Sequence, residues 1–372
     1  MDSWKDCKNI LCIRADNMGD LIMTTPAFRA LKETLGCRIT LLTSKAGGLI
    51  TNNLENIDDV IIQDLPWVKS NANNISAELL LLAEQLRAEK YDAAIIFTVY
   101  SQSALPSAVL AYMAGIPKRL SYARENPYEL LTDWLPDREP YDFIQHQVER
   151  DLALVAHIAA FPSCDLLKVL YESKSLVSIN KKLSDLGIEP TQSWIILHPG
   201  VSEDKRKYPV AYWIKTGQLL TKKYRIPLLI TGSASEKILA DEIASGIGGQ
   251  AFSMAGSFSM DEFIALIDKA KCVVSVNTST IHIAAATQSP LVVLYAQTNP
   301  QHTPWKSKHV LLPFSVEENL RSKNTIVRFV SEMYYKDTIP YPAPDIVLKA
   351  IEELMEPVEA GTLNKEVSLS AA

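Results

Sequence analysis

Cysteine is scarce and unpaired in this chain: Cys7, Cys12, Cys37, Cys164 and Cys272 are spread over 372 residues without a CxxC. An odd, scattered set argues against a disulfide framework or a zinc site, and predicts reduced, mostly buried thiols in a reducing compartment. No uninterrupted apolar stretch approaches the roughly 20 residues that span a bilayer. The opening "MDSWKDCKN" lacks the basic-then-apolar layout of a secretory signal, so a cytoplasmic location is expected. A basic excess is also missing. The formal charge is −6 and the pI near 5.6, which excludes a surface committed to nucleic acid. The GxGxxG and GxxxxGK[ST] loops are absent, as is the GxSxG elbow, which weakens the dehydrogenase, kinase and serine-hydrolase readings. No cluster of metal-ligand spacing is evident, and no short internal repeat.

What is present is an ordinary globular composition, 47% apolar and 22% charged, at a length that suggests two domains. Apolar runs alternate with helical patterns: "NILCI", then a helix, "RITLLTS", "DDVIIQDL", a helix over Ser76–Glu89, "YDAAIIFTV" and a helix over Ala104–Ala114. Such alternation predicts a parallel sheet covered on both faces. The proline- and charge-rich run from Arg124 to Asp142 reads as a long loop. After a helix over Gln147–Ala160, the polar segment from Ser173 to Gln192 marks a domain boundary. The alternation then restarts through "SWIILHPG", "IPLLITGS", "FSMAG", "CVVSVN" and "PLVVLYA". The expected layout is an N-terminal domain over 1–175, a second α/β domain over 176–345, a C-terminal helix over 346–357 and a disordered tail over 358–372. Two doubly wound domains of this kind leave a cleft between their strand ends.

Three junctions carry the candidate chemistry. In "RADNMGD", Asp16, Asn17, Gly19 and Asp20 sit where a strand's carboxyl end meets a helix, the edge at which open α/β sheets bind ligands. A carboxylate there serves either as helix cap or as general base, and the local pattern leaves both open for Asp20. The loop after "HPG" clusters Lys205, Arg206 and Lys207, either a phosphate site or a solvated surface. In "VNTSTIHIAAA", Asn277, Thr278 and Ser279 open a short helix whose N–H groups and dipole suit a pyrophosphate, although simple capping needs no ligand. His282 falls one turn inside, where a lone histidine is more often structural than catalytic.

Together "IRADNMGDLIMTTPAFRALK", "LHPGVSEDKRKYP", "ITGSASE" and "VSVNTSTIHIAAATQSPLVVLYAQTNPQHTPW" resemble glycosyltransferase family 9, the ADP-heptose:lipopolysaccharide heptosyltransferases. The resemblance implies a GT-B fold of two Rossmann-like domains facing a cleft. It also implies inverting transfer without a metal or other cofactor, and a nucleotide-sugar co-substrate, ADP-linked, held mainly by the second domain. By the family pattern Asp20 is the catalytic base, with Asp16, Asn17 and Gly19 in supporting or acceptor-side positions. Arg206 takes the place of the family's phosphate-side lysine, with Lys205 as a substitute. Asn277, Thr278, Ser279 and His282 occupy the donor motif, and Glu236 the position for ribose or sugar hydroxyls. Asn277 and Asn299 stand where many members have aspartate. The implied partners are a nucleotide sugar and a glycan or glycolipid acceptor, with peripheral contact to the inner membrane through Lys118, Arg119, Arg124 and Arg138. Transfer from another nucleotide sugar to a different acceptor, and sugar-nucleotide binding without turnover, are the alternatives.

Overall fold

The computed structural model describes residues 4–68, 75–189 and 191–355. The first half contains β1 (Asn9–Ile13), α1 (Met18–Leu35), β2 (Arg38–Thr43), α2 (Lys45–Gly48), β3 (Asp59–Ile62), α3 (Ile75–Ala88), β4 (Ala93–Ile96), α4 (Leu105–Met113), β5 (Lys118–Ala123) and β6 (Asp133–Pro136). Its six strands form one parallel sheet in the order β3-β2-β1-β4-β5-β6. Two helices follow, α5 (Gln147–Ala156) and α6 (Ser173–Ser184).

The second half contains β7 (Ile195–His198), α7 (Val210–Tyr224), β8 (Leu228–Ile230), α8 (Lys237–Ile247), β9 (Ala251–Ser253), α9 (Met260–Asp268), β10 (Cys272–Val276), α10 (Ser279–Ala286), β11 (Leu291–Ala296), β12 (His309–Phe314), α11 (Thr325–Tyr334) and α12 (Pro344–Met355). Its sheet runs β12-β11-β10-β7-β8-β9, again parallel. Read from the opposite edge, this is the strand order of the first sheet. Each sheet therefore reverses direction at one place, between β1 and β4 and between β7 and β10. Side chains on the central strands are buried on both faces, which is why they read as continuous apolar runs.

Two apolar clusters fill the outer layers, one under α3 and α4 and one under α7, α8 and α12. The largest runs without interruption from Ile10 and Cys12 through Leu21, Ile22 and Phe28 of α1 to Ile281 and Ile283 of α10 and on to Ile196. The helices α1 and α10 are thus a layer shared by both sheets, and their burial holds the halves face to face. Fully buried side chains such as Phe28 contribute about 1.5–3 kcal/mol each. Pro26 interrupts the hydrogen-bond ladder of α1, since it has no N–H for the carbonyl of Ile22. The Thr25 hydroxyl donates to that carbonyl instead, at 2.7 Å.

Several sequence expectations need correction. The Arg124–Asp142 run contains the edge strand β6, whose residues are alternately exposed and so present no apolar run. The polar 173–192 segment contains α6, which packs on α9 through Ile179 and Leu183. The half-exposed β12 and the amphipathic α11 were not predicted at all. A basic membrane-facing patch does not form as expected. Arg119 is buried, donating to the carbonyls of Leu130 and Glu129, and Arg124 pairs with Asp137 at 2.9 Å. Of that set Arg138 stands most clearly in solvent. The tail expected over 358–372 lies outside the described residues. No described helix is long and apolar enough to cross a membrane.

Candidate active site

A cavity of about 530 Å³ opens between the halves beside the α1–α10 contact. Its N-terminal wall is the first turn of α1, which carries Asn17, Gly19 and Asp20. Asp20 is 6% exposed and held at both oxygens. Oδ2 accepts the Asn17 N–H at 3.2 Å, and Oδ1 pairs with the Arg14 guanidinium at 3.2 Å. Cap and cleft-facing carboxylate are therefore the same group. Arg14 is fully buried and is shared further with Asp16 at 3.2 Å and Asp151 at 3.9 Å. Asp151 is fixed in turn by Thr24 at 2.7 Å and Gln147 at 2.8 Å. One cation thus faces three carboxylates. Burial pushes the Asp16 carboxyl up to about 6, against the pull of Arg14 and with the push of Asp20.

The opposite wall is the switch point of the second sheet. Here β7 ends in His198 and Gly200, and β10 ends in Asn277, Thr278 and Ser279 at the amino end of α10. Asn277 bridges the ends of β10 and β11: its Nδ2 donates to the Ala296 carbonyl at 3.0 Å and to Thr298 Oγ1 at 3.1 Å, while its Oδ1 accepts the Ala296 N–H at 3.1 Å. An aspartate could accept there but not donate. Arg206 reaches the Asn277 carbonyl at 3.2 Å and pairs with Glu203 at 3.0 Å. Glu236 lies under Gly200 and accepts the Ser233 N–H at 2.6 Å. A Cβ at Gly200 would fall 2.2 Å from its carboxylate, so any larger residue there would displace the Glu236 side chain from its place at the cavity wall.

The loop after β11 closes the cavity from the side. Gln301, fully buried, donates to Glu139 at 2.9 Å, and its carbonyl accepts the Gln147 N–H at 3.1 Å. His146 accepts the Val148 N–H through Nδ1 and holds the Thr303 carbonyl through Nε2 at 2.9 Å, a pattern that fixes its neutral tautomer. This anchoring places His302 Nε2 3.5 Å from Asp20 Oδ1. Burial holds His282 and His302 well below the ordinary imidazole range, helped for His302 by Arg14 and for His282 by His302 itself. Both rings are therefore neutral near pH 7. The positive field comes from Arg206 and the amino ends of α1 and α10, since Arg14 is offset by its three carboxylates. Four buried polar atoms around the cleft make no hydrogen bond within the protein: Thr278 Oγ1, His282 Nδ1, His302 Nε2 and Arg206 Nε. Unpartnered groups clustered in this way mark a ligand site rather than a packed core.

Of the residues singled out in the sequence, Asn17, Gly19, Asp20, Arg206, Glu236, Asn277, Thr278, Ser279 and His282 all line this one cavity. Lys205 does not. It faces the other side of its loop, paired with Glu203 at 3.2 Å beside Arg321. Asp16 also points away from the cavity. Arg14, His198, Thr298 and His302 were missed. Arg14 lies inside the quoted loop, but its role depends on Asp151, far along the chain. Among the described residues no group of three or more His, Cys, Asp or Glu is arranged to hold a metal ion.

Two doubly wound parallel domains that face each other across a cleft have the architecture of the GT-B class of glycosyltransferases. The family model for glycosyltransferase family 9 (heptosyltransferase) matches residues 79–326, and the chain belongs to that family. The lipooligosaccharide heptosyltransferase 2 of Haemophilus influenzae is 25% identical over 363 residues, covering 93% of this chain and 99% of that one. Two solved structures share the fold. A family 9 glycosyl transferase from Veillonella parvula superposes with a TM-score of 0.73 at 16% identity, covering 94% of this chain and 97% of the other. The ADP-heptose lps heptosyltransferase II of E. coli gives 0.69 at 20% identity, covering 93% and 98%.

Proposed function

We propose that this glycosyltransferase moves a heptose-like sugar from an ADP-linked donor to a lipopolysaccharide core or related cell-surface glycan, with inversion and without a metal. The observation that carries this reading is Asp20 facing the amino end of α10 and Arg206 across a single cavity. In the proposed step Asp20 takes the proton of an acceptor hydroxyl as its oxygen bonds to the anomeric carbon. The bond from that carbon to the phosphate oxygen breaks on the opposite face, and ADP departs with the electron pair. Asp20 suits the base role because Arg14 and Asn17 orient it while a carboxylate's remaining lone pairs stay open to the cavity. Such a base contributes about 10²- to 10⁴-fold. Charge growing on the leaving phosphate is met by Arg206, the Thr278 hydroxyl and the N–H groups of α10. The ADP-heptose named for the E. coli relative, and the lipooligosaccharide for the H. influenzae one, support this choice of donor and acceptor. A cytoplasmic site of action belongs to the same proposal.

The test is ADP release from ADP-heptose with a heptose-deficient core glycolipid, by wild type and Asp20→Asn, each with and without EDTA. The expected result is turnover indifferent to EDTA, and a variant that binds ADP normally but is nearly silent. Selective binding of UDP or GDP in place of ADP would remove the donor assignment, and loss of activity with EDTA the metal-independent one.

A further inference from the structure

The first sheet has its own switch point, between β1 and β4, and a second cavity of about 210 Å³ opens there. It lies on the other side of the β1–α1 loop from the main cleft. Its floor is Ile13 and Phe97, and its walls carry Trp67, Ser101, Gln102 and Asp16. The roles assigned to the main cleft use none of the four wall residues. Asp16, which turns its back on that cleft, is the one ionisable group lining this cavity among the described residues, and its position is fixed from two sides. Arg14 holds Oδ2 at 3.2 Å, and the Gln102 amide donates to Oδ1 while its own oxygen accepts the Val99 N–H at 3.3 Å. Trp67 is half-buried, with its indole N–H tied to Ser107 at 3.0 Å, so the ring is locked as one wall.

We propose that this crevice is a subsite for one neutral sugar ring of the acceptor glycan, a ring adjacent to the one that is glycosylated. The proposal rests on the glycosyltransferase reading above. The cavity is smaller than the roughly 300–1,000 Å³ that drug-sized ligands need, which excludes a nucleotide and suits a single ring. A fixed aromatic wall faces the apolar side of such a ring, while a carboxylate, an amide and hydroxyls meet its hydroxyl groups. Arg14 behind Asp16 offsets part of its charge, and among the described residues no Lys, Arg or His lines the cavity, so an acidic sugar or a phosphate finds no free cation there while a neutral ring needs none. By symmetry of strand order, each sheet then uses its switch point: the second for the donor, the first for the acceptor.

The test is ligand-observed saturation-transfer NMR on the full chain with ADP bound. The probes are methyl glycosides of glucose, galactose, mannose and a heptose, together with methyl glucuronide. ADP binding reports separately on the donor cleft, so its failure would count against the proposed function and not against this subsite. With ADP bound, at least one neutral glycoside is expected to bind, the glucuronide at least about tenfold more weakly. Trp67→Phe and, independently, Gln102→Ala are each expected to weaken the neutral ligand about tenfold without changing ADP affinity. Equal binding of the glucuronide, binding unchanged in both variants, or no transfer to any neutral glycoside overturns the proposal.

Discussion

Gly19 and His282 are in van der Waals contact across the two halves: a Cβ at position 19 would sit 2.9 Å from His282 Cδ2 and 3.5 Å from the Ser279 Cα. The absence of a side chain at Gly19 is what lets the amino ends of α1 and α10 converge on one cavity. Both neighbours are buried or fixed by α10, so a methyl group there forces the halves apart. Gly19→Ala is expected to keep ADP affinity within about threefold, because the donor wall belongs to the second half. Transfer is expected to fall by about 10²-fold, the scale of an ångström-sized misplacement of a base. Calorimetric ADP binding beside single-turnover rates checks this, and an equal loss in both would remove the separation of roles.

Arg14 is the one cation in direct contact with Asp16, Asp20 and Asp151, and it has no exposed surface. Arg14→Met leaves three carboxylates without that charge, a defect of about 3–5 kcal/mol. Urea unfolding should show the loss. Asp151→Asn removes one of the three acids and is expected to cost less, since the amide still accepts from Thr24. A larger loss from Asp151→Asn than from Arg14→Met would show that the cluster is not organised around the arginine.

Acid sensitivity should separate into two opposing parts. Burial lowers His146 to about 4 from an ordinary 6.5, so the unfolded chain takes up its proton first. Its contribution is complete above pH 6.5 and is lost as pH falls toward about 4. Asp16, raised to about 6 from 3.8, works the other way: its contribution is complete below about 3.8 and is lost as pH rises toward 6. Asp16→Asn should therefore make stability climb more steeply between pH 4 and 6, and His146→Asn, which keeps a capping side chain, should flatten it. Differences of about 2 kcal/mol across the window are expected from urea midpoints. Parallel curves for wild type and both variants would contradict the assignment.

The parts of this molecule that were legible in the sequence are those whose signal is local. Strands buried on both faces announce themselves as apolar runs, and the helix starts at Met18 and Ser279 follow from short polar turns after those runs. That is why Asp20 and Thr278 could be placed at strand ends before any fold was known. Strand β6 and helix α6 were hidden because half-exposed elements carry polar residues. Arg14 and His302 were hidden for another reason: each matters through a partner on a distant segment, Asp151 in one case and Asp20 in the other. Lys205 was misplaced because three adjacent basic residues look alike in sequence. A turn of the chain at Asp204–Arg206 decides which one faces the cavity.

Asn277 is the position where the departure from the family pattern has a structural explanation. Its amide donates to the Ala296 carbonyl and accepts the Ala296 N–H, so it closes the ends of β10 and β11 as a backbone pair would. Asn277→Asp keeps the shape but turns the donor into a second acceptor facing that carbonyl. The unmade bond is expected to cost about 1–3 kcal/mol of stability. The new charge also lies beside Arg206, whose guanidinium reaches the Asn277 carbonyl. An aspartate there competes with a bound diphosphate for the arginine, and ADP affinity should fall by about tenfold, more at low salt than at high. Asn277→Ser, which loses the bridge without adding charge, separates the two effects. It should lower the urea midpoint while leaving ADP affinity nearly unchanged. If Asn277→Asp binds ADP as tightly as wild type, Arg206 is not a diphosphate ligand, and the donor site must be drawn around Thr278 and the amino end of α10 alone.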